Sequence, residues 1–289
     1  MRKVLLAVIT AASFACCTTT PAPAPTPAPA PAPVAAAPAP PCTPGDATVN
    51  AVLWVQSSAE YRAVALGTYA NARRMLDAAL ADPAWSAFEQ TSASSLPPAI
   101  ILDLDETATD NTPFQARVAK IGKSYDAKLW DQWVQESAPR GVPGAGDFLR
   151  YAKSHGVTPF YISNRKTEEE APTRRILEKL DYPLDANLDT MLFRNERPEW
   201  NTSDKAPRRN FVATSHRVLL ILGDDLNDFA PARDKTHAER EAILDRTAAL
   251  WGTKWLMIPN PMYGSWERAA AGEGSDCAQL QRKIEALQP

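Results

Sequence analysis

Two short apolar runs in this chain of 289 residues end in closely spaced aspartates. AIILDLD ends at Asp105 and RVLLILGDD ends at Asp225, and each run is apolar enough to form a buried strand. VTPFYIS (residues 157–163) and the weaker KWLMIP (residues 254–259) have the same character. Helical patterns lie between these runs, and strands alternating with helices predict an α/β fold with a doubly wound parallel sheet. Ligands bind such sheets at the carboxyl ends of the strands, where these aspartates fall.

The polar residues that follow the predicted strands indicate the chemistry of this edge. They form three groups: Asp103 and Asp105; Ser163, Asn164 and Arg165; and Asp224, Asp225 and Asp228. Carboxylates brought together repel one another without a cation, and oxygen ligands of this kind suit Mg²⁺. Ser163 and Lys205 would add a hydroxyl donor and a positive charge. The set therefore predicts phosphoryl transfer, in which positioning and charge neutralisation do most of the catalysis.

Charge and histidine content exclude other classes of function. The formal net charge is -3 and the pI about 5.7, which argues against a surface that binds a nucleic acid polymer. The three histidines, His155, His216 and His237, contain no HExxH pair of a zinc protease. The chain also lacks the GxSxG motif of many serine hydrolases.

The N-terminus has the pattern of an export signal. Arg2 and Lys3 precede a short apolar stretch and then small residues, which predicts a signal peptide over residues 1–15. Cys16 then stands where a bacterial lipoprotein carries its lipid, although Ser13 replaces the usual Leu of that motif. Lipidation at Cys16 and plain secretion both remain open, and both place the cleavage before Cys16.

A tether and then one folded region follow the signal. Eleven of the 26 prolines lie within residues 18–45, so residues 16–45 form a Pro/Ala-rich tether in extended polyproline II conformation. Residues 46–289 form the folded domain, which begins with a predicted helix over residues 47–80, with Asp46 as its N-cap. Cys42 and Cys277 lie at the two edges of this region, and export permits a disulfide between them. The sequence leaves that bond open because it gives no distance.

The ordered motifs DLDET, YISNR and GDDLNDF, with Lys205 between the last two, resemble those of the haloacid-dehalogenase-like phosphohydrolases. Their details, together with QSSAEYRA, WDQW, VPGA and NPMYGSWE, are similar to the class C non-specific acid phosphatases, which are exported bacterial enzymes and often outer-membrane lipoproteins. The resemblance covers residues 47–267. It implies a haloacid-dehalogenase-like core over about residues 97–260 and a smaller helical domain from residues 46–84 and 261–289.

The resemblance also implies roles for site residues. Asp103 is expected to be the nucleophile that forms an aspartyl-phosphate, and Asp105 the general acid and base. Ser163, Asn164 and Lys205 are expected to bind the phosphoryl group. Arg165 and Lys166 lie near the second motif and are alternatives to Lys205 as the cation.

The expected cofactor is Mg²⁺, held by the side chains of Asp103 and Asp224 and the backbone carbonyl of Asp105. Asp225 and Asp228 are expected to support the metal site without binding the metal directly. The choice of metal ligand between Asp224 and Asp225 stays open. An acid at position 105 favours ester hydrolysis over dehalogenation, because an ester leaving group needs a proton and a halide does not.

Substrates and partners follow from the same resemblance. Trp130 and Tyr263 are expected to stack on substrate, which favours 5′-nucleotides and aryl phosphates among small phosphate monoesters. Trp133 is the weaker candidate, since most tryptophans belong to the core. The oligomeric state is open, with a homodimer as one option. The enzyme would act in the bacterial cell envelope, bound to a membrane if Cys16 is lipidated.

Two other functions fit parts of the sequence. A non-catalytic envelope lipoprotein that binds a ligand on the same fold would bind without turnover, but every acid that the chemistry needs is intact. A receiver-like phosphoacceptor also carries aspartates at strand ends, but an exported chain would not meet a cytoplasmic kinase.

Overall fold

The computed structural model describes residues 42–88, 90, 93–138 and 140–288. The predicted signal peptide, Cys16 and most of the tether lie outside the described residues. Within the described part, no helix is both long and apolar enough to cross a membrane.

Five parallel strands form the central sheet in the order β3-β2-β1-β4-β5. The strands are β1 (Pro98–Leu102), β2 (Thr158–Lys166), β3 (Met191–Arg194), β4 (Arg217–Gly223) and β5 (Trp255–Met257). The sequence predicted four of them and missed β3. That strand has three apolar residues before an arginine, which is too short a run to indicate a strand by itself.

Ten α-helices surround the sheet within the described residues. They are α1 (Asp46–Ser57), α2 (Ala59–Ala81), α3 (Thr112–Lys120), α4 (Ala127–Glu136), α5 (Ala145–Ser154), α6 (Glu170–Lys179), α7 (Ala206–Ser215), α8 (His237–Arg246), α9 (Ser265–Ala271) and α10 (Asp276–Glu285).

The single helix predicted over residues 47–80 is wrong, because the chain forms two helices there. Ser58 has an extended backbone, and its hydroxyl accepts a hydrogen bond from the N–H of Tyr61 at 3.0 Å. It therefore caps α2 and ends α1, a role that short hydroxyl side chains favour over helix interiors. Asp46 is the first residue of α1 and not its N-cap, which is Gly45.

The two faces of the sheet contribute to two hydrophobic clusters. Ile100 and Leu102 of β1 pack with α2 and α5, whereas Ala99 and Ile101 pack with the other layer, which includes Val212 of α7. Alternate side chains of a strand point to opposite faces, so a strand covered on both sides is apolar throughout. This is the doubly wound α/β arrangement that the sequence predicted.

The N- and C-terminal helices belong to the same compact unit as the sheet, which spans residues 42–289. Helix α2 contributes Ala65, Tyr69 and Leu76 to the cluster on β1. A disulfide joins Cys42 to Cys277 of α10, with 5.8 Å between the Cα atoms. The bond that the sequence left open thus connects the start of the described chain to its last helix.

Candidate active site

The polar residues that follow β1 and β4 meet at the carboxyl edge of the sheet. These two strands pair in parallel, and the N–H of Asp103 donates to the carbonyl of Leu222 at 3.0 Å. Carboxylate oxygens of Asp103, Asp224 and Asp228 all lie within 4.8 Å of one another. We call these three residues the acidic cluster.

Lys205 is the cation of this site. It precedes α7, and its ammonium group donates to Asp103 and contacts Oδ1 of Asp228 at 2.6 Å. The side chains of Lys205, Asp103 and Asp228 are 5%, 8% and 7% exposed, so these ion pairs are shielded from water. Among the described residues, Lys205 is the basic residue that forms an ion pair with Asp103, whereas Arg165 pairs with Asp105 and Lys166 pairs with neither.

Burial and mutual repulsion shift the pKa values of the acidic cluster. Burial raises the pKa of Asp103 to about 7, and Lys205 works against this rise. The pKa of Asp224 lies well above its usual range because the group is buried and is repelled by Asp228 and Asp103. Burial by itself would lower the pKa of Lys205, but Asp103 and Asp228 raise it. The cluster holds more carboxylate than Lys205 can offset, which fits a bound divalent cation.

Asp228 organises the turn that carries Asp224. Its Oδ2 accepts hydrogen bonds from the N–H groups of Asp224 at 3.1 Å and Asp225 at 3.0 Å. Gly223 makes this turn fit, because a Cβ at that position would lie 2.5 Å from the side chain of Asp228. The oxygens of Asp228 are therefore already engaged by the turn and by Lys205.

Asp225 points to other partners than the acidic cluster. Its carboxylate accepts from the N–H of Asn227 at 2.8 Å and from both the N–H and the hydroxyl of Ser265 at the start of α9. Asp224 lies in the acidic cluster and accepts from Thr107 at 3.1 Å and Asn260 at 2.8 Å. The structure thus separates two aspartates between which the sequence could not choose.

Asp105 is held by Arg165 and Asn111. The guanidinium of Arg165 donates to its two oxygens, with Nη2–Oδ1 at 2.7 Å and Nε–Oδ2 at 3.2 Å, and Asn111 donates to Oδ1 at 2.8 Å. Trp133 is buried and donates its indole N–H to Asn111 at 2.9 Å. Trp133 is thus a core residue that supports Asp105 through Asn111.

The two phosphate-binding candidates in β2, Ser163 and Asn164, already have partners. Ser163 is completely buried, and its hydroxyl oxygen accepts from the N–H of Arg165 at 3.1 Å, which leaves the hydroxyl proton to donate. The amide of Asn164 donates to the carbonyl of Ser203 at 3.1 Å and accepts from Arg208 at 2.7 Å. Asn164 therefore connects β2 to the segment that carries Lys205.

Trp130 and Tyr263 both line a cavity of about 860 Å³ above the acidic cluster. The indole N–H of Trp130 donates to Glu169 at 2.7 Å, and the guanidinium of Arg165 lies 5.3 Å from its ring centre. The hydroxyl of Tyr263 donates to the buried carboxylate of Glu106. Both rings thus stand at the cavity wall with their polar ends engaged inside the protein.

Glu106 is a site residue for which the sequence predicted no role. It has a left-handed backbone, with φ at 61°, and its carboxylate accepts from the N–H of Asn111 at 2.8 Å and from Tyr263. Burial, followed by repulsion from Asp105, raises the pKa of Glu106 well above its usual range. Its position directly after Asp105 was the signal available, but its partner Tyr263 is 157 residues away.

Comparison with known proteins gives consistent matches. Residues 28–266 match a family model described as HAD superfamily, subfamily IIIB (acid phosphatase). The class C acid phosphatase from Bacillus anthracis has a similar solved structure, with 35% sequence identity and a TM-score of 0.75, over 86% of this chain and 99% of that one. A structure of the class C acid phosphatase from B. anthracis with tungstate bound matches with the same identity and TM-score, over 85% of this chain and 98% of that one.

Proposed function

Because the chain belongs to the class C acid phosphatases, subfamily IIIB of the HAD superfamily, and is a phosphomonoesterase, we propose that it hydrolyses small phosphate monoesters with Mg²⁺ as its cofactor. One observation carries this proposal: buried Asp103 contacts Lys205 within the acidic cluster, where β1 and β4 end side by side. A nucleophile, a cation and a set of oxygen ligands are thus available at one point.

The acidic cluster fits a divalent metal ion by its chemistry. The side chains that donate hydrogen bonds to Asp224, those of Thr107 and Asn260, are neutral. The charge of Asp224 is therefore not offset within the described structure. We infer that Asp103 and Asp224, with the backbone carbonyl of Asp105, hold Mg²⁺. When bound, the ion would neutralise charge on the transferring phosphoryl group.

In the first proposed step, a carboxylate oxygen of Asp103 attacks phosphorus. The ester P–O bond breaks, and Asp105 gives its proton to the leaving oxygen. In the second step Asp105 takes a proton from water as the water oxygen attacks the aspartyl-phosphate, which releases phosphate and restores Asp103. Arg165 and Asn111 would fix the direction of the Asp105 carboxyl group during both steps.

Two further groups support this chemistry. Lys205, held by Asp228, would offset charge on the phosphoryl group and keep Asp103 in place. The hydroxyl of Ser163 would donate to a phosphoryl oxygen. The match to a structure with tungstate bound supports an oxyanion site, because tungstate is a tetrahedral oxyanion like phosphate.

We infer that 5′-nucleotides and aryl phosphates are the preferred substrates, because Trp130 and Tyr263 line the cavity with flat rings. We also infer export to the bacterial cell envelope and a lipid anchor at Cys16, from the N-terminal sequence. Labelled palmitate should enter the chain and be absent from the Cys16→Ser variant. Incorporation that persists in this variant would exclude Cys16 as the anchor.

The decisive experiment measures phosphate release by the full-length chain. p-Nitrophenyl phosphate and 5′-nucleotides would be supplied with Mg²⁺, with a chelator, and to the Asp103→Asn variant. We expect turnover that the chelator and Asp103→Asn both abolish, while the control Asp245→Asn, on the exposed face of α8, keeps full activity.

Two results would contradict this proposal. Turnover that survives a chelator would remove the metal from the mechanism. Turnover that survives Asp103→Asn would remove the aspartyl-phosphate.

A further inference from the structure

The carboxyl ends of β2 and β3 bring two cationic side chains side by side. Lys166 and Arg194 are register partners at the point where the two strands end, and both line the cavity. The strand register shifts between Ser163 and Lys166. Such a bulge redirects side chains, and here Arg165 faces Asp105 while Lys166 lies beside Arg194.

These two cations, like Arg233, differ from three others in the same cavity wall. Arg165, Lys205 and Arg268 each form ion pairs with carboxylates. Among the described residues, Lys166 and Arg194 have no carboxylate within ion-pair distance. The Nε atom of Arg194 is also buried without a hydrogen-bond partner. Arg208, Arg209 and Arg217 share this feature but do not line the cavity, so it is the unpaired charges of Lys166 and Arg194 at the cavity wall that a ligand would offset.

We propose that Lys166 and Arg194 form a second anion site in the cavity, which binds a phosphate group on the leaving-group side of the substrate. This inference rests on the proposed function, since it places the second group relative to the phosphoryl group at Asp103. The substrate class is then phosphate monoesters that carry another phosphate, such as nucleoside bisphosphates.

The charge of Arg194 acts on two neighbouring groups. Burial and then the charges of Glu169 and Asp131 raise the pKa of Tyr125, and the charge of Arg194 opposes this rise. Burial lowers the pKa of Arg208 to about 10, and Arg194 is among the cations that lower it further. Arg208 itself donates to the carbonyl of Ser163 and to Asn164, so its guanidinium group is bound to β2.

The nearby carboxylates are already engaged. Glu169 accepts from the indole of Trp130 and from the backbone N–H of Lys166, both at 2.7 Å. Glu196 accepts from the N–H of Phe193 at 2.8 Å, and burial raises its pKa to about 7. Neither group contacts the side-chain nitrogens of Lys166 or Arg194.

The spacing suits two phosphates on one nucleoside. Ser163 and Lys166 are three residues apart, which is at most about 10 Å along a strand. A cavity of about 860 Å³ has room for a nucleotide between the two points.

The test compares adenosine 5′-monophosphate with adenosine 3′,5′-bisphosphate on the full-length chain, with release of the 5′-phosphate followed by chromatography. We expect kcat/KM for the bisphosphate to exceed that for the monophosphate by about tenfold, as for one good charge-assisted contact. Arg194→Gln should reduce this ratio, and the double variant Lys166→Gln, Arg194→Gln should bring it to about one. Rising salt should also reduce the ratio in the unmodified chain, because added ions screen the contact.

Lys128→Gln is the matched control, because Lys128 is exposed on α4 and does not line the cavity. It should keep the full ratio. Two results would overturn the second anion site. One is a ratio near one in an unmodified chain that does turn over the monophosphate. The other is an equal loss of the ratio in Lys128→Gln.

Binding separates this inference from the proposed function. Calorimetry with the Asp103→Asn variant should give the same preference for the bisphosphate, without turnover. A binding preference with no turnover in the unmodified chain would refute the phosphatase mechanism and support the anion site. Equal binding of the two nucleotides would refute the anion site alone.

Discussion

Asp224 and Asp225 are neighbours in the chain but serve different parts of the molecule. Asp224 lies in the acidic cluster, where burial and two other carboxylates raise its pKa. Asp225 caps the turn at Asn227 and binds the start of α9 through Ser265. One of these residues is therefore suited to hold a cation, and the other to hold the backbone.

This difference gives a paired prediction. Asp224→Asn should lower kcat/KM at least about 100-fold, because charge stabilisation by a metal is worth several kcal/mol. In the presence of a chelator, the melting temperature of Asp224→Asn should not lie below that of the unmodified chain. Because the pKa of Asp224 is raised, its ionised form is destabilising above the ordinary pKa of 3.8, and the variant removes that charge. Thermal unfolding and phosphate release check the two parts.

Asp225→Ala should show the opposite pattern. It loses the cap on Asn227 and the contacts to Ser265, so we expect a loss of about 1–2 kcal/mol in the free energy of unfolding. It should keep the response to added Mg²⁺. If Asp225→Ala loses that response and Asp224→Asn retains it, the metal ligand is Asp225.

At the scale of elements, β3 and the turn after it carry an unusual carboxyl group. Glu196 accepts from the N–H of Phe193 in β3, and Asn195 has a left-handed backbone with φ at 69°. Burial, and then a side-chain hydrogen bond with Asp189, raise the pKa of Glu196 from 4.5 to about 7. The turn therefore favours the protonated form of Glu196.

This shift predicts how stability depends on pH. The folded state binds the Glu196 proton more tightly than the unfolded state, so stability falls as pH rises from 4.5 to about 7 and then levels off. Glu196→Gln keeps an oxygen acceptor and cannot ionise. Its melting temperature should therefore exceed that of the unmodified chain at pH 8 and converge with it near pH 4.

The control for this prediction is Glu241→Gln on exposed α8, which should leave the pH profile unchanged. Parallel profiles for the unmodified chain and Glu196→Gln would show that Glu196 ionises normally in the folded state.

At the scale of the whole molecule, the C-terminal helices form one wall of the cavity above the acidic cluster. Glu267, Arg268 and Gln279 line it, and Arg268 pairs with Asp234 at 3.0 Å. On α10, Asp276 accepts from Ser124 at 2.8 Å. The disulfide to Cys42 adds a covalent link, so the wall is attached to distant parts of the chain.

The disulfide should therefore contribute strongly to stability. It closes a loop of 235 residues, and we expect its loss to lower the free energy of unfolding by about 2–5 kcal/mol. Both cysteines are exposed, so a reductant should reach them. Thermal unfolding of the unmodified chain with reductant should match that of Cys277→Ser, and Cys277→Ser should not respond to reductant. If neither the reductant nor the Cys277→Ser substitution lowers the melting temperature, the bond does not form in solution.

Local patterns were sufficient for much of the fold. Four of the five strands follow from apolar runs alone, because burial on both faces demands continuous apolar sequence. The break between α1 and α2 was missed because Ser58 is compatible with either a cap or a helix interior, and packing of both flanking helices decides between them. Strand β3 is too short to be distinguished without the pairing that β2 provides.

The sequence by itself determined which residue types meet at the carboxyl edge of the sheet, because parallel strands carry their following residues to one edge. It placed Asp103 and Asp224 there from their positions after strands, and the resemblance to a known family added Lys205. The tertiary structure alone decided which carboxylate each donor binds. Arg165 faces Asp105, Asp225 faces Ser265, and Glu106 accepts from Tyr263, through contacts that span 40 to 157 residues. Hydrogen bonds between side chains depend on distances of a fraction of an ångström, and only the packed chain sets such distances.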